Sequence, residues 1–396
     1  MILDALVIGG GPSGATTALM LAKAGWSVTI VEKKIFPRRK VCGEFISATS
    51  FPLLQKFNLD HFYLTNSGPE VKRVGLFADD CILTSEMPGA YDSKNHWGRA
   101  IGREHLDTIL LDMASQAGVQ RLQPMNVKTI KRRNNLFICS IESNNDIREI
   151  SARIVIMANG SWEKSPEQIE IPPHKPSDLL AFKSHFTNSE LAPDLMGLLA
   201  FPGGYGGIVN TDEGRMTISC CIRRDMLQNI RSEYSGLQAG EAILKHINKY
   251  CHGTRPIFAS AIREGNWLAA GPIRPGIREC YANGIFFVGN SAGEAHPIIA
   301  DGISMAMQSA WILSTILIEQ HGIKNISEIG YIYTKKWRSH FRNRIYTAAC
   351  FAHWAMRPWL VNMTLPIVKL FPSILTFGAE LSGKINQIVP ITISKE

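Results

Sequence analysis

"DALVIGGGPSGATTALMLAKAGWSVTIVEKK", residues 4–34, decides the fold of this chain. The apolar run at 6–8 predicts a short buried strand, and a glycine-rich turn follows it directly. Residues 15–24 place apolar side chains at helical spacing, and Gly25 is suited to end that helix. The next apolar run predicts a second strand, parallel to the first, that ends at Glu32. The segment therefore predicts one strand–helix–strand unit.

The glycines of this turn have the spacing G-x-G-x-x-G, which a dinucleotide requires between strand and helix. Gly9 permits the tight turn, Gly11 lets the backbone approach a pyrophosphate, and Gly14 lets helix and strand pack closely. The helix N-terminus offers free N–H groups and a positive dipole end to phosphates. Glu32 is placed to accept hydrogen bonds from ribose hydroxyls. The predicted dinucleotide-binding residues of this segment are Gly9, Gly11, Pro12, Ser13, Gly14, Glu32 and Lys33.

The composition is that of an ordinary globular protein. The chain has 396 residues, of which 45% are hydrophobic and 19% charged, enough for one large or two closely joined domains. A formal net charge of +8 suits any anionic partner. No zinc-finger, helix-turn-helix or RNA-binding signature accompanies that charge, so we expect no nucleic-acid partner.

The eight cysteines show neither the two-residue spacing of a metal or redox motif nor the ladder of a disulfide framework. We therefore expect no metal site and a reducing compartment. The N-terminus leads directly into a strand, without the features of a secretory signal. The sequence thus predicts a cytoplasmic protein.

A second informative segment is "GIFFVGNSAGEAHPIIADGISMAMQSAWILSTI", residues 284–316. It predicts a strand, a turn of small residues, a proline, and a long helix that begins near Gly302. The part "GNSAGEAHPIIADGI" resembles the second FAD motif of the p-hydroxybenzoate-hydroxylase-like flavoproteins, and within them the geranylgeranyl reductase family. The likeness covers most of the chain, with several motifs in the right order.

The resemblance implies FAD as the cofactor and assigns further binding residues. Asn290 would meet the ribityl chain, and the backbone of Gly302 and Ile303 would lie against the pyrimidine edge of the flavin. A helix N-terminus at Gly302 suits the negative charge of reduced flavin near N1. The remaining cofactor-binding residues implied by the resemblance are Arg103 in "GRAIGREHLD", Val127, Gly160 in "MANGSW", and Arg39, Cys42 and Gly43 in "RRKVCGEFIS".

Two residues depart from the family pattern. Asn159 and Asn290 stand where relatives usually carry aspartate, so hydrogen bonds to the ribityl hydroxyls lack charge assistance. The sequence contains one G-x-G-x-x-G, so NAD(P)H or another electron donor would have to visit without a second dinucleotide fold of its own.

The middle of the chain, residues 179–222, alternates in short apolar runs that predict antiparallel strands, with "PGGYGG" at 202–207 as a turn region. The resemblance implies that such a sheet roofs a substrate cavity, with Phe201, Pro202 and Tyr205 as substrate-binding residues; core packing is the alternative. A single helix is predicted from Met226 to Tyr250.

The segment 342–383 is apolar but is interrupted by Arg357, Lys369 and three prolines. It is too broken for a spanning helix and predicts amphipathic helices. These helices would cover a cavity for an apolar substrate, contact a membrane surface, or simply pack in the core. A location peripheral to a membrane is therefore kept beside the cytoplasmic one.

The predicted fold is α/β: a Rossmann-type FAD-binding domain (p-hydroxybenzoate hydroxylase-like), an antiparallel sheet that forms a substrate domain, and a C-terminal helical segment. The predicted bounds are 1–68, 96–165 and 270–325 for the FAD-binding domain, 69–95 and 166–269 for the substrate domain, and 326–396 for the helical segment.

The expected function is that of an FAD-dependent oxidoreductase acting on a bulky apolar substrate, isoprenoid or polyketide-like, with C=C reduction by hydride from flavin N5. An FAD-dependent monooxygenase on a similar substrate is the first alternative, and a non-catalytic FAD-binding maturation partner the second. A halogenase is disfavoured because W-x-W-x-I-P is absent, although Lys72 lies in the region of the halogenase lysine. The catalytic candidates are Cys42, as a reactive or site-shaping thiol, and His296, as a proton donor or a structural residue; Glu294 is a weaker candidate.

Overall fold

The computed structural model describes residues 2–89, 97–143, 146–161, 173–320, 325–385 and 388–389. The first sheet has parallel strands at its centre, in the order β17-β18-β10-β1-β2-β7, and a β8–β9 hairpin extends it from β10. Its strands are β1 (Ile2–Ile8), β2 (Val28–Val31), β7 (Gln120–Leu122), β8 (Asn126–Arg133), β9 (Leu136–Ser143), β10 (Asp146–Met157), β17 (Tyr281–Ala282) and β18 (Ile285–Phe287).

The central strand β1 is buried on both faces because helices cover one side and the hairpin covers the other. Ala5 and Val7 point into the core with α1 (Pro12–Lys23), while Leu6 and Ile8 join the core under β8 and β9. This layering explains the continuous apolar run in the sequence.

The turn after β1 needs glycine for geometric reasons. Gly9 has φ +108°, and a Cβ there would lie 2.5 Å from the Ala158 carbonyl oxygen at the end of β10. A Cβ on Gly14 would collide with the Gly9 carbonyl, so helix α1 could not start so close to the strand. The first sheet therefore contains the strand–helix–strand unit that the sequence predicts.

The second sheet has seven strands in the order β15-β11-β14-β13-β12-β4-β5, all antiparallel except the β12–β4 pair. They are β4 (Arg73–Ala78), β5 (Cys81–Glu86), β11 (Leu179–Thr187), β12 (Leu195–Phe201), β13 (Gly204–Asn210), β14 (Met216–Arg223) and β15 (Ile262–Ile273). Two short ladders join the layers: β3 (Phe45–Ile46) with β6 (Arg99–Ala100), and β16 (Gly276–Ile277) with β19 (Gly293–Glu294).

Two local predictions about this layer are wrong. "PGGYGG" turns only at Pro202 and Gly203, and Gly204 already belongs to β13. The glycines suit the strand because a Cβ on Gly206 would lie 2.8 Å from the Cys220 side chain on β14. The single helix expected over 226–250 is two helices, since Gly236 takes φ +90° between them.

Helices complete the architecture and confirm the predicted α/β class with a helical C-terminal part. They are α1, α2 (Phe51–Lys56), α3 (Asp60–Asn66), α4 (Arg103–Gln116), α5 (Arg224–Glu233), α6 (Ala239–Tyr250), α7 (Thr254–Ala259), α8 (Gly302–Glu319), α9 (Ile326–Ala355), α10 (Pro358–Leu370) and α11 (Ser373–Ala379), followed by a π-helical turn over Glu380–Lys384.

Within the described chain, α8 alone is long and apolar enough to cross a membrane, and 72% of its residues are buried inside the fold. Helix α10 and the helical segment after it pass the same test only as a pair, and they meet at 111°. Length and composition are therefore weak evidence for a span here, because the core helix of a globular protein has the same properties.

Candidate active site

A cavity lies where the glycine turn of the first sheet meets the second sheet; we call it the central cavity. It brings together predicted residues from six parts of the chain. They are Gly11, Pro12, Ser13, Cys42, Gly43, Arg103, Gly160, Tyr205, Asn290, His296, Gly302 and Ile303. The first and last of these residues, Gly11 and Ile303, are 292 positions apart in the sequence, and only the packing of the two sheets makes them neighbours.

The glycines of the cavity wall form a cradle that fits a large flat ligand. A Cβ on Gly43 or Gly302 would meet nothing within 4 Å, and one on Gly11 would meet only Nη2 of Arg103, at 3.8 Å. The backbone thus borders open space at three places around the cavity, and Gly302 begins α8 with its free N–H groups. A side chain at any of these positions would fill space that such a ligand needs.

Arg103 stands at the first position of α4, buried, where a cation is unfavourable for the helix dipole. Its Nε and Nη2 donate to the two carboxylate oxygens of Asp107 at 2.7 Å each. Burial opposes the charge, but Asp107 and the neighbouring Cys42 raise the pKa of Arg103 above its ordinary value. Asp107 therefore keeps a permanent cation beside Gly11 and Cys42.

Glu44, next to Gly43, anchors the Cys-Gly loop to the second sheet. Its carboxylate is fully buried, receives Nζ of Lys183, and lies 2.8 Å from Nε2 of His185; both partners are on β11. Burial disfavours the carboxylate, but Lys183 and His185 outweigh burial and lower the pKa of Glu44 to about 2. A buried ion pair of this kind fixes geometry, because either partner alone would be a costly unpaired charge.

The two asparagines that replace aspartates belong to a network of polar side chains. Asn290 donates to Ser161 at 3.2 Å and to Oε1 of Glu294 at 3.1 Å. Ser291 donates to Oδ1 of Asn159 at 3.0 Å. Burial raises the pKa of Glu294 despite Arg278 nearby. An acid thus remains at this wall of the cavity, four residues after the position where the family carries it.

His296 and Tyr205 form a pair on the cavity wall, with Nδ1 of His296 3.0 Å from the Tyr205 hydroxyl. Burial, with a smaller effect from His353, lowers the pKa of His296 to about 4. Burial also raises the pKa of Tyr205 well above its ordinary value, and Cys221 contacts the same hydroxyl. At neutral pH both groups are therefore uncharged, and a proton sits between them.

Six predicted cofactor-binding residues do not line this cavity: Gly9 and Gly14 of the turn, and Glu32, Lys33, Arg39 and Val127. Both oxygens of Glu32 accept backbone hydrogen bonds, from Gly10 at 2.7 Å and Lys34 at 2.8 Å. Val127 lies close by on β8, because Met125 donates to the Glu32 carbonyl. Lys33 is exposed, and Arg39 is held away from the cavity by Glu264 at 2.5 Å and Glu104 at 3.3 Å. Of the cations at 38–40, Lys40 lines the cavity.

Two of the expected substrate residues lie elsewhere. Phe201 is 1% exposed and packs in the core behind the second sheet, edge-on to His246. Adjacent strand residues point to opposite faces, so Ala200 and not Phe201 faces the cavity side. Pro202 accepts a hydrogen bond from His246 and borders a surface cleft near Arg357. Among the three, Tyr205 alone lines the central cavity.

A second cavity of about 470 Å³, which we call the lateral cavity, lies between the second sheet and the C-terminal helices. Its walls are almost entirely apolar and include Val74, Leu199, Phe351, Trp354, Ile367 and Leu375. It shares Met196, Leu198, Ile298 and Ile299 with the central cavity. Polar exceptions such as Thr364 and Lys384 line it as well.

A glycine cradle at a helix N-terminus, set between a doubly covered parallel sheet and an antiparallel sheet, defines a dinucleotide-binding flavoprotein. The family model "FAD binding domain" matches residues 3–322, and the chain belongs to that family. Its cofactor is FAD, which supplies two-electron redox chemistry when bound. The chain is an FAD-dependent enzyme, which sets aside a purely non-catalytic role.

Individual relatives are distant and chemically diverse. Conditioned medium factor receptor 1 of Dictyostelium discoideum is 23% identical, over 97% of this chain and 74% of that protein. Digeranylgeranylglycerophospholipid reductase 1 of Methanococcoides burtonii is 25% identical, over 86% and 81%. The structure of the flavin-dependent brominase Bmp2 superposes with a TM-score of 0.77 at 16% identity, covering 97% and 94% of the two chains.

Sequence reasoning missed Lys183, His185 and Lys384. Lys183 and His185 lie two residues apart on β11, so their side chains face the same side of the strand. Two ionisable residues inside an otherwise buried strand were a usable signal. Lys384 follows Gly383 in an apolar segment, and nothing in its local sequence distinguishes it from a surface lysine.

Proposed function

We propose that this enzyme reduces a carbon–carbon double bond in a bulky apolar substrate, with the flavin as the immediate hydride donor. The observation that carries the proposal is the lateral cavity, an apolar space that shares four wall residues with the central cavity. Such a space suits a long hydrocarbon chain whose reacting end reaches the flavin. The likeness to a digeranylgeranylglycerophospholipid reductase supports the same class of substrate.

The residues of the central cavity have complementary tasks in this proposal. Gly11, Gly43 and Gly302 let the backbone contact the cofactor, and Arg103 supplies a fixed cation beside it. The Tyr205–His296 pair lies at the wall where a substrate would enter between the sheets. Its Tyr205 hydroxyl is the group best placed to give a proton to the carbon that does not receive the hydride.

The position of Lys72 argues against halogenation. Its side chain is 51% exposed, pairs with Glu70 at 3.2 Å, and does not line the central cavity. A lysine that works on an oxidant between flavin and substrate has to reach the cavity. The likeness to a brominase therefore counts for the fold, and halogenation and hydroxylation become outcomes of the experiment.

The test uses the holoenzyme, reduced anaerobically with dithionite and mixed with geranylgeraniol. Reoxidation of the flavin, followed by its absorbance, together with a product that has gained two hydrogens, is the expected result. Dithionite makes the result independent of whether NAD(P)H or another donor serves in the cell. A product that forms only with oxygen, at a rate matching oxygen uptake, overturns the reductase and assigns a monooxygenase. A product that needs bromide or chloride assigns a halogenase.

A further inference from the structure

Lys384 is a buried cation at the junction of the two cavities. It is 4% exposed and lines the lateral cavity. Its Nζ donates to the Ala300 carbonyl at 3.3 Å and lies 4.8 Å from the centre of the Phe45 ring. Ala300 and Phe45 both line the central cavity. The ammonium therefore sits at the end of the lateral cavity that faces the flavin site.

The residues around Lys384 do not use all of the hydrogen-bond donors of its ammonium group. An ammonium group has three donors, and within the described residues its one hydrogen bond is that to Ala300. Asp301, the acid whose charge acts on Lys384, accepts through Oδ2 from Nη1 of Arg344 at 3.1 Å. Burial lowers the pKa of Lys384, opposed by Asp301 and reinforced by Arg344. A buried amine in apolar surroundings is stabilised by any ligand that brings an oxygen acceptor.

We propose that the lateral cavity binds a molecule with an apolar chain that ends in an oxygen acceptor, a carboxylate or a carbonyl, and that Lys384 donates to that oxygen. The apolar chain then lies along Leu199, Phe351 and Ile367, and the oxygen end points to the central cavity. This inference rests on the proposed function and deepens it. It orients the substrate, with the polar group toward the central cavity, where the reaction takes place, and the hydrocarbon chain in the lateral cavity.

The test measures binding to the holoenzyme by calorimetry, with dodecanoate and methyl dodecanoate as probes and dodecyltrimethylammonium as the matched cation. We expect both oxygen-bearing probes to bind and the cation not to bind. Lys384→Met keeps the length of the side chain and removes its donors, so dodecanoate should bind at least about tenfold more weakly. Lys72→Met is the matched control, and it should bind dodecanoate like the wild type.

Gly378→Leu provides a second variant that leaves the lysine intact. A Cβ there lies 3.4 Å from the Phe351 ring on the cavity wall, so a larger side chain narrows the space and should weaken both probes. Flavin absorbance checks that each variant is folded. Equal dodecanoate binding by Lys384→Met and wild type, or no binding by wild type, overturns the inference. Binding without any anaerobic C=C reduction overturns the proposed function instead.

A separate observation concerns the outer side of α10 and α11. Large apolar side chains on this segment are 41–75% exposed, although most such residues of the chain are buried. Together they form what we call the C-terminal apolar face: Trp359, Met363, Ile367, Leu370, Phe371, Ile374, Phe377 and Leu381. Two of them, Ile367 and Ile374, also line the lateral cavity, so the face lies directly over it.

Most charged residues along the C-terminal helices are cations, with acids as exceptions: Glu380 falls within the segment that carries the face, and Asp79 and Asp80 act electrostatically on Lys369. Residues 329–379 contain no aspartate or glutamate, and they contain seven cations: Lys335, Lys336, Arg338, Arg342, Arg344, Arg357 and Lys369. All of these except Arg344 are exposed. Exposed aromatic and aliphatic side chains on helices whose exposed charges are mostly positive suit the interface of an anionic lipid leaflet.

We infer that the C-terminal apolar face lies on an anionic membrane surface, with the lateral cavity opening toward the acyl chains. Sedimentation with vesicles provides the test. The protein should bind vesicles of phosphatidylcholine with about 30% phosphatidylserine, more weakly as salt rises, and bind pure phosphatidylcholine less. Phe371→Glu combined with Phe377→Glu should abolish this binding.

Ile147→Glu is the control, because Ile147 is 70% exposed on β10 in the first sheet and should not affect vesicle binding. Absence of binding to anionic vesicles overturns the inference. So does light scattering that shows a dimer which the double variant dissociates, since the face then belongs to a second copy of the chain.

Discussion

The hydroxyl oxygen of Tyr205 lies 3.0 Å from Nδ1 of His296 at the wall of the central cavity. Tyr205 comes from β13 in the second sheet, and His296 from the loop between β19 and α8. Burial keeps both groups uncharged at neutral pH, because it lowers the pKa of His296 to about 4 and raises that of Tyr205. The pair therefore holds a proton at the cavity without introducing a charge.

Tyr205→Phe removes this proton and keeps the ring. If the hydroxyl delivers a proton in the reaction, kcat for geranylgeraniol reduction should fall by roughly tenfold to a hundredfold, with the FAD content unchanged. Tyr281→Phe, on β17 of the first sheet, is the control and should retain the wild-type kcat. An unaltered kcat in Tyr205→Phe contradicts the assignment.

His296 should make the stability depend on pH in a defined window. Its pKa of about 4 in the folded protein lies below the ordinary 6.5, so the unfolded chain binds the proton first. The contribution of His296 to the free energy of unfolding is then fully present above about pH 6.5. It is lost as the pH falls toward 4, and the loss is ~3 kcal/mol at most. Urea unfolding at several pH values should show this slope, and His296→Asn should flatten it. The exposed His61→Asn is the control, and an equal flattening there contradicts the account.

Glu44→Gln should be strongly destabilising, because it leaves Lys183 buried without its counter-charge. We expect a loss of about 3–5 kcal/mol in the free energy of unfolding. Glu264→Gln, at an exposed pair with Arg39, should change it by less than about 1 kcal/mol. Adding Lys183→Met to Glu44→Gln should recover part of the loss. A double variant no more stable than Glu44→Gln contradicts this.

The carboxylate of Glu44 should also contribute to unfolding of the protein in acid. Because its folded pKa of about 2 lies below its ordinary value of 4.5, the stabilisation is present above pH 4.5 and is lost as the pH falls through 2. The difference in stability between wild type and Glu44→Gln should therefore shrink in that window. A difference that stays constant down to pH 2 argues against a charged Glu44.

Gly43→Val places a side chain where the structure leaves open space beside the cavity. FAD should bind at least about tenfold more weakly, a cost of ~1.4 kcal/mol, while the apoprotein keeps its stability. Fluorescence titration of the apoprotein with FAD measures the affinity. Gly89→Ala, whose Cβ would make ordinary contacts of 3.5 Å with Trp97, is the control. Wild-type affinity in Gly43→Val removes Gly43 from the cofactor site.

Cys42 lies between Arg103 and the loop of Glu44, and Glu44 N–H lies 3.4 Å from its sulfur. We expect a shaping role, so Cys42→Ser should retain turnover within about threefold, because a hydroxyl can also accept this hydrogen bond. Steady-state kinetics on the reduction of geranylgeraniol measures it. Loss of turnover with normal FAD content shows that the thiol is chemically required.

The sequence by itself determined the first sheet and the cofactor. The turn at Gly9 and Gly14 depends on contacts between neighbouring segments, so its glycine spacing records the geometry directly. The helix that begins at Gly302 followed from a local pattern as well. Such features are readable because the residues that make them lie close together along the chain.

Only the tertiary structure decided which of the remaining candidates meet. It joined Tyr205 to His296 across 91 residues and Glu44 to Lys183 across 139. It also turned Phe201 away from the cavity, since the pleat of β12 sends neighbouring side chains to opposite faces. The lateral cavity and Lys384 exist because α9, α10 and α11 fold back over the second sheet. Long-range packing of this kind leaves no periodic trace in the sequence, because each contact depends on two segments that are far apart.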